Sequence, residues 1–192
     1  MNKPLVGVRI LDLTHMLAGP YAGMILADLG AETIKVEPLA GEGTRKLLAS
    51  DPENSLDGMG AYYLTLNRNK KSVAIDLKSD SGMAVFSRLV EASDIVLSNF
   101  AAGVPQRLGI DFDTLSQVNP RIITCTVTGY GSDGPRANRQ GVWHEMPPRQ
   151  WSQLLHRRRA AQRRQCWPCQ RLPVVGVELH RAHVHCQPEA VD

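Results

Sequence analysis

The sequence predicts an α/β fold with a parallel sheet over residues 1–141, followed by an irregular tail over residues 142–192. Three observations support this division. Short apolar strands alternate with amphipathic helices in the first part. The first strand, helix and strand fit within about 30 residues, which is the spacing of a βαβ unit. The residue composition then changes abruptly at Gly141.

The first βαβ unit is predicted from three neighbouring stretches. VRILDL (8–13) is a short buried strand, and an amphipathic helix follows a Gly-Pro break, covers Tyr21–Leu29 and ends at Gly30. ETIKVE (32–37) is the next strand, with polar residues alternating with Ile34 and Val36. Residues 38–60 are predicted to form a long loop with one helical turn at most.

The second half of the predicted sheet begins with the strand SVAIDL (72–77). Ser79 or Asp80 can cap a helix that runs to about Ala92. Its apolar face carries Met83, Phe86, Leu89 and Val90. A strand at 94–100, two short helices and a strand at 121–131 complete half of a doubly wound fold.

Ligands of open parallel sheets bind at the carboxyl ends of the strands. Four of the five stretches expected there are rich in Gly or small residues, and the fifth, LNRNKKS (66–72), carries the cations Arg68, Lys70 and Lys71. A ligand with several phosphates and an adenine ring suits such a rim. The same charge run is also typical of a solvated hairpin tip. Neither GxGxxG nor GxxxxGKS/T occurs at the expected place, so neither a dinucleotide fingerprint nor a P-loop is indicated.

Charge is divided unevenly between the two parts. Residues 1–141 hold six Lys and eight Arg against 15 acidic residues, a net charge of −1. Residues 142–192 hold eight Arg against four acidic residues, a net charge of +4. No secretory segment or membrane span is recognised, because the longest apolar stretch has about 12 residues where a span needs roughly 20. We therefore expect a cytoplasmic protein without a secreted disulfide framework.

Three segments carry a resemblance to a known family: PLVGVRILDLTHMLAGPYAGMILADLGAETIKVEP, NRNKKSVAIDLKSDSG, and DIVLSNFAAGVPQRLGIDFDTLSQVNPRIITCTVTGYGSDGP. In order and spacing they resemble the amino-terminal part of the family III CoA-transferases, a group that includes formyl-CoA, carnitine and bile-acid CoA-transferases and α-methylacyl-CoA racemases. The resemblance covers residues 1–141. It implies a Rossmann-like large domain, coenzyme A as ligand, acyl-CoA and small carboxylic acids as substrates, and a homodimer of interlocked rings.

The resemblance also implies site residues. The CoA-binding positions that it implies are Met16, Leu17, Pro38, Leu66, Lys70, Lys71, Asn99, Phe100, Arg107 and Leu108. Arg68, a candidate from the charge run, is added to this set. Arg and Lys suit the phosphates of CoA, and apolar side chains suit its adenine. For His15, the one histidine before residue 142, we favour a core or capping role over catalysis.

In the family, an aspartate after the GPxAxRxG turn attacks the thioester and forms an aspartyl-acyl anhydride. The resemblance places Trp143 at that aspartate and Val142 at the histidine of the racemases, so no catalytic residue is expected. Glu145 lies two residues further on, where we do not expect it to substitute. The chain alone is therefore expected to be an inactive fragment, and racemase-type chemistry is the less favoured alternative.

The tail from residue 142 admits three interpretations. It holds all three Trp, five of six His and three of four Cys, and neither Phe nor Tyr, which favours out-of-frame sequence in a GC-rich gene. Cys166, Cys169, His183, His185 and Cys186 are possible zinc ligands, without the usual second pair. HRRRAAQRR (156–164) suits nucleic acid. We favour the first interpretation, hence a disordered tail, no metal and no nucleic-acid partner.

Overall fold

A computed structural model describes residues 3–129, 131, 135 and 137, and the backbone of residues 176–181. In chain order its first elements are β1 (Arg9–Asp12), α1 (Ala18–Asp28), β2 (Glu32–Glu37), a 3-10 turn (Gly43–Lys46), β3 (Ser55–Leu56), β4 (Met59–Gly60) and α2 (Ala61–Leu66). The elements that follow are β5 (Lys70–Ala74), α3 (Asp80–Glu91), β6 (Ile95–Ser98), α4 (Val104–Leu108), α5 (Phe112–Val118), β7 (Ile123–Thr128) and β8 (Gly176–Arg181).

The main sheet has the strand order β5-β2-β1-β6-β7-β8. The first five strands in this order are parallel, and β8 pairs antiparallel with β7 at the edge. The chain thus extends the sheet from β1 first toward β5 and then toward β7. The predicted α/β fold with a parallel sheet is confirmed, and the reversal of direction beside β1 is where such sheets bind ligands.

Two apolar layers cover the faces of this sheet. On one face, α3 and α5 pack over a core that includes Leu11, Val36, Phe86, Val90 and Leu115. On the other face, a smaller cluster forms around buried Ile10, Ala31 and Leu97 beside α1. Successive residues of β1 therefore pack into opposite layers, because side chains along a strand point alternately to the two faces of the sheet.

Helix α3 has the predicted cap and the predicted apolar face. The Ser79 hydroxyl accepts a hydrogen bond from the Gly82 N–H at 3.1 Å, which satisfies one of the free donors of the first turn. Phe86 and Val90 are fully buried, while Met83 and Leu89 pack against the same core. Local sequence and tertiary packing agree in this helix.

Helix α1 begins at Ala18, three residues before the predicted start. The prediction of a Gly-Pro break was wrong because Pro20 lies in the first turn, where a missing N–H costs nothing. Glycine allows α1 to approach the sheet closely: a Cβ on Gly23 would lie 2.6 Å from Asp12 Oδ2.

Three further boundaries differ from the predictions. The loop at 38–60 contains the 3-10 turn and the β3–β4 hairpin, and α2 follows it. Strand β5 begins at Lys70 rather than at residue 72 and ends at Ala74. The tail, expected to be irregular, contributes the backbone of β8, which is registered with all six residues of β7.

Candidate functional site

A cavity of about 370 Å³ opens at the carboxyl edge of the parallel strands. Segments that follow four strands line it: Leu13 and His15 after β1, Pro38 and Leu39 after β2, Ile75 to Lys78 after β5, and Phe100 after β6. Val36, Glu37 and Leu108 complete the wall. The cavity therefore occupies the place where the sheet topology predicts a ligand.

The cavity brings together three of the predicted site residues, Pro38, Phe100 and Leu108. Their apolar side chains can contact the face of a flat ring. Sequence reasoning missed Lys78, which is exposed and lines the same cavity. Its position just after the strand SVAIDL indicated a place at the rim, but the charge run before that strand was predicted to bind the phosphates.

Met16 and Leu17 lie beside the cavity in the loop between β1 and α1. They are 48% and 36% exposed, and Leu17 is the N-cap residue of α1. A leucine side chain cannot accept hydrogen bonds from the N–H groups of the first turn. Those donors and the helix dipole favour an anionic group at this end of α1.

Four predicted residues, Leu66, Arg68, Lys70 and Lys71, do not line this cavity. The expectation that 66–72 follows a strand was wrong, because this segment spans the end of α2 and the start of β5. Leu66 is buried, the Arg68 guanidinium pairs with Asp28, and Lys71 Nζ pairs with Glu32 at 2.5 Å.

Lys70 is the most constrained of these four. Its Nζ donates to Asp12 Oδ2 at 2.7 Å, to the Pro20 carbonyl at 2.8 Å and to Asn67 Oδ1 at 3.0 Å. This Nζ lies under α1, 3.3 Å from the position that a Cβ on Gly23 would occupy. Lys70 is therefore on the face of the sheet opposite to the core that contains Leu13. Burial lowers the pKa of Lys70, although the charge of Asp12 opposes this shift.

Asn99 and Arg107 occupy the rim after β6. The Asn99 side chain accepts from the His15 N–H at 2.8 Å and donates to the His15 carbonyl at 2.7 Å, so it joins the ends of two neighbouring strands. Arg107 is exposed in the last turn of α4, next to the cavity residue Leu108. Asn99 thus supports the rim, and Arg107 offers it a positive charge.

His15 contributes its ring to the cavity wall. The ring meets Phe100 edge-on with the centroids 5.3 Å apart. Burial, and then the positive charge of Lys35, lower the pKa of His15 below its usual 6.5. The imidazole is therefore neutral at pH 7 and acts as an aromatic surface. This half-buried position differs from the core or capping role that the sequence favoured.

Glu37, at the end of β2, is the centre of a buried polar cluster. Its carboxylate accepts from Arg45 Nε and Nη2, both at 2.7 Å, and from Tyr63 Oη at 2.9 Å. It also accepts from the Ser72 hydroxyl and the Glu42 N–H. Burial alone would raise its pKa, but these hydrogen bonds outweigh that effect and lower the pKa to about 2.

The partners of Glu37 are fixed in turn. The Arg45 guanidinium carbon lies 4.0 Å from the centre of the Tyr63 ring, a cation–π contact. Hydrogen bonding to Glu37 raises the pKa of Arg45, and burial followed by the charge of Glu37 raises the pKa of Tyr63. The cluster is therefore a charged scaffold below the cavity rather than a set of groups ready to exchange protons.

A second cavity, of about 260 Å³, lies between the end of β7 and the loop before α4. The polar residues among those that line it include Ser98, Thr124, Thr126, Asp111 and Asp113. Its wall, drawn from the described residues, includes no Lys, Arg or His. The first cavity has Lys78 in its wall beside Asp76 and Glu37, so of the two cavities it is the one that offers a cation to an anionic ligand.

Several predictions concern residues outside those that the structure describes. These predictions concern Trp143, Val142 and Glu145, the possible zinc ligands, and the basic run 156–164. Among the described residues, His, Cys, Asp and Glu side chains form no group of three or more that could hold a metal. Within the same part of the chain, no helix combines the length and the apolarity that crossing a bilayer requires.

Comparison with known proteins relates this chain to one family. Residues 5–144 match the model of CoA-transferase family III. Succinyl-CoA:glutarate CoA-transferase of Mus musculus is 44% identical over 140 residues, which are 72% of this chain and 31% of that protein. Succinate–glutarate CoA-transferase of Agrobacterium fabrum is 42% identical over 146 residues, 73% of this chain and 36% of that protein.

Solved structures show the same relationship. Rv3272 of Mycobacterium tuberculosis is 41% identical, with a TM-score of 0.65 over 73% of this chain and 36% of that one. A CAIB/BAIF family protein of Brucella suis is 38% identical, with a TM-score of 0.68 over 73% of this chain and 37% of that one. The chain thus spans about a third of the length of these relatives. With the fold, the match over 5–144 and these identities in agreement, the chain belongs to CoA-transferase family III.

Proposed function

We propose that this chain binds coenzyme A in the 370 Å³ cavity at the carboxyl edge of the sheet. The observation that carries the proposal is the combination in one wall of apolar surfaces and a lysine. Leu13, Ile75 and Leu108 offer contacts to adenine, and Lys78 offers a charge to a phosphate. The volume is at the lower end of the range of about 300–1,000 Å³ for ligand sites, so the cavity would hold part of the molecule.

The proposal assigns the phosphates of CoA to other cations than those of the charge run. Arg68, Lys70 and Lys71 each have a carboxylate partner, and Lys70 is fully enclosed. At Lys70 a phosphate would have to displace Asp12 and leave a buried carboxylate unpaired, which is costly. Arg68 and Lys71 are exposed, and their pairs with Asp28 and Glu32 lie outside the cavity. Lys78 lines the cavity from the solvent side, and Arg107 lies on the adjoining helix. We therefore assign the phosphates to Lys78 and Arg107.

Acyl transfer is a separate part of the proposal. Relatives are named for moving CoA between succinate and glutarate, and transfer by the family's anhydride route needs a carboxylate nucleophile. Glu37 lines the cavity, but a pKa of about 2 and the five hydrogen bonds that its carboxylate accepts make it a poor nucleophile. By resemblance Trp143 stands at the aspartate position. We expect this chain to bind CoA without forming an acyl intermediate.

Titration calorimetry of the full chain with free CoA tests the binding. We expect Lys78→Ala to weaken the affinity about tenfold, because a hydrogen bond to a charged group contributes about 1.5–3 kcal/mol. Lys71→Ala is the matched control, since Lys71 is an exposed lysine that pairs with Glu32 outside the cavity. Undetectable heat at millimolar CoA, or an equal loss in both variants, would contradict the proposal.

Mass spectrometry tests the second part. The chain is incubated with succinyl-CoA, the donor in the names of relatives, and intact mass is recorded after quenching. We expect no added succinyl group. A succinyl adduct that maps to a carboxylate side chain would show that the chain forms the covalent intermediate after all.

The resemblance implies an interlocked homodimer for the family, and whether this chain forms it is a separate question from CoA binding. Light scattering of the purified chain measures its mass against the 21.1 kDa of one copy. A particle of twice that mass is the expected result for the dimer. A single-copy mass would exclude the dimer for this chain without affecting the cavity.

A further inference from the structure

Four side chains form hydrogen bonds with the backbone of the loop between β1 and α1. The Thr14 N–H donates to Asp12 Oδ1 at 3.0 Å, and the Thr14 carbonyl accepts from Lys35 Nζ at 2.8 Å. Asn99 holds both the N–H and the carbonyl of His15. The Met16 N–H donates to Glu42 Oε1 at 3.2 Å. Five consecutive backbone polar groups thus have side-chain partners.

The side chains that bind this loop are themselves fixed. Asp12, Lys35 and Glu42 are at most 2% exposed. Glu42 also accepts from the Thr44 N–H and hydroxyl, and its own N–H donates to Glu37 Oε2 at 2.8 Å. Because buried charges with several partners have few alternative positions, they transmit a fixed geometry to the loop.

Met16 shows that this geometry is imposed from outside the loop. Its φ of 67° lies in the left-handed region, which residues with a Cβ rarely adopt. Such a conformation persists only where the surroundings determine it, and it is typical of ligand sites. The hydrogen bond from the Met16 N–H to Glu42 is the contact that holds this residue.

We infer that Glu42 is a positioning residue for ligand binding. It lies on the loop after β2 and forms a hydrogen bond with the loop after β1, and these two loops contribute Pro38 and His15 to the same cavity. By fixing Met16, Glu42 sets the rim before a ligand arrives, so that binding does not have to order the loop. The inference rests on the proposed function for the identity of the ligand, coenzyme A.

Amide hydrogen exchange followed by NMR tests the fixed loop in the wild-type chain. We expect the Met16 amide to exchange at least tenfold more slowly than an amide in the exposed segment after β2, such as that of Ala40. Equal exchange at Met16 and Ala40 would overturn the inference without any variant.

Two variants and a control then test the role of the carboxylate. Glu42→Ala should speed exchange at Met16 about tenfold, leave Leu11 in β1 unchanged, and weaken CoA binding about tenfold. Glu42→Gln keeps an oxygen acceptor for Met16 and should stay within about twofold in both measurements. Glu53→Ala, at an exposed acidic residue of the same long loop, should change neither.

The two readouts separate this inference from the proposed function. Faster exchange at Met16 in Glu42→Ala with unchanged CoA affinity would overturn the positioning role and leave CoA binding intact. Unchanged exchange at Met16 in Glu42→Ala would overturn it as well. A wild-type chain that does not bind CoA would remove the proposed function, and the exchange data would still decide whether Glu42 fixes the loop. If Glu42→Ala does not fold, Glu42→Gln and the wild-type exchange decide the question.

Discussion

Replacing Glu37 by glutamine should remove a pH-dependent part of the stability of this protein. The pKa of Glu37 is lowered from 4.5 to about 2, and the side chain is only 2% exposed, so solvent screening is small. A difference of about 2.5 pKa units corresponds to about 3 kcal/mol. The lowered pKa means that this stabilisation is present above pH 4.5 and is lost as the pH falls toward 2.

The glutamine variant lacks the charge at every pH. At pH 7 its free energy of unfolding should therefore be about 3 kcal/mol lower than that of the wild type. This loss is within the 3–5 kcal/mol expected for breaking a buried pair. Urea unfolding at pH 7, 5 and 3.5, followed by circular dichroism, measures this gap. The gap should narrow as the pH falls below 4.5, because the Glu37 carboxylate of the unfolded wild-type chain then takes up a proton while that of the folded chain stays charged.

The matched control is Glu32→Gln, which removes the acid of a more exposed pair with Arg9 and Lys71. We expect a smaller change there, because water and salt screen exposed ion pairs. A Glu37→Gln gap of the same size at pH 7 and pH 3.5 would refute the reasoning. It would show that the shape of the side chain, not its charge, stabilises the cluster.

Two further predictions concern packing. Phe86 is fully buried in the main core, so Phe86→Ala should cost about 3–5 kcal/mol in thermal or urea unfolding; a loss below 1 kcal/mol would contradict that core. Gly19→Ala would place a Cβ 2.4 Å from the Cβ of buried Thr14 and should cost about 1–3 kcal/mol, despite the helix preference of alanine. Gly43→Ala, where no atom lies within 4 Å, is the control and should be close to neutral.

The regular elements could be predicted where local sequence and tertiary packing agree. Strand β2 has the predicted bounds, and α3 has the predicted cap and apolar face. Helix α2 was missed because AYYLTL combines tyrosines and a threonine, which favour strands. In the structure the Tyr63 hydroxyl of this helix donates to Glu37, a contact across 26 positions that no local pattern contains.

The candidate site was predictable to a similar degree. Pro38, Phe100 and Leu108 were identified and lie in one cavity. Lys70 was expected at the ligand because its cation-rich run was predicted to follow a strand and because the family resemblance implied it, but its partner Asp12 lies 58 residues earlier in the chain. Lys78 was missed, although it directly follows the predicted strand 72–77, because the cations before that strand were predicted to bind the phosphates.

The enclosed pair of Asp12 and Lys70 should respond to ionic strength differently from the exposed lysine of the cavity. Both side chains are at most 1% exposed, so dissolved ions cannot approach them. At about 1 M salt the screening length falls to about 3 Å. This is short enough to weaken the attraction between a ligand phosphate and an exposed ammonium such as that of Lys78. Concentrated salt should therefore release an anionic ligand from this protein while the sheet beneath it stays folded.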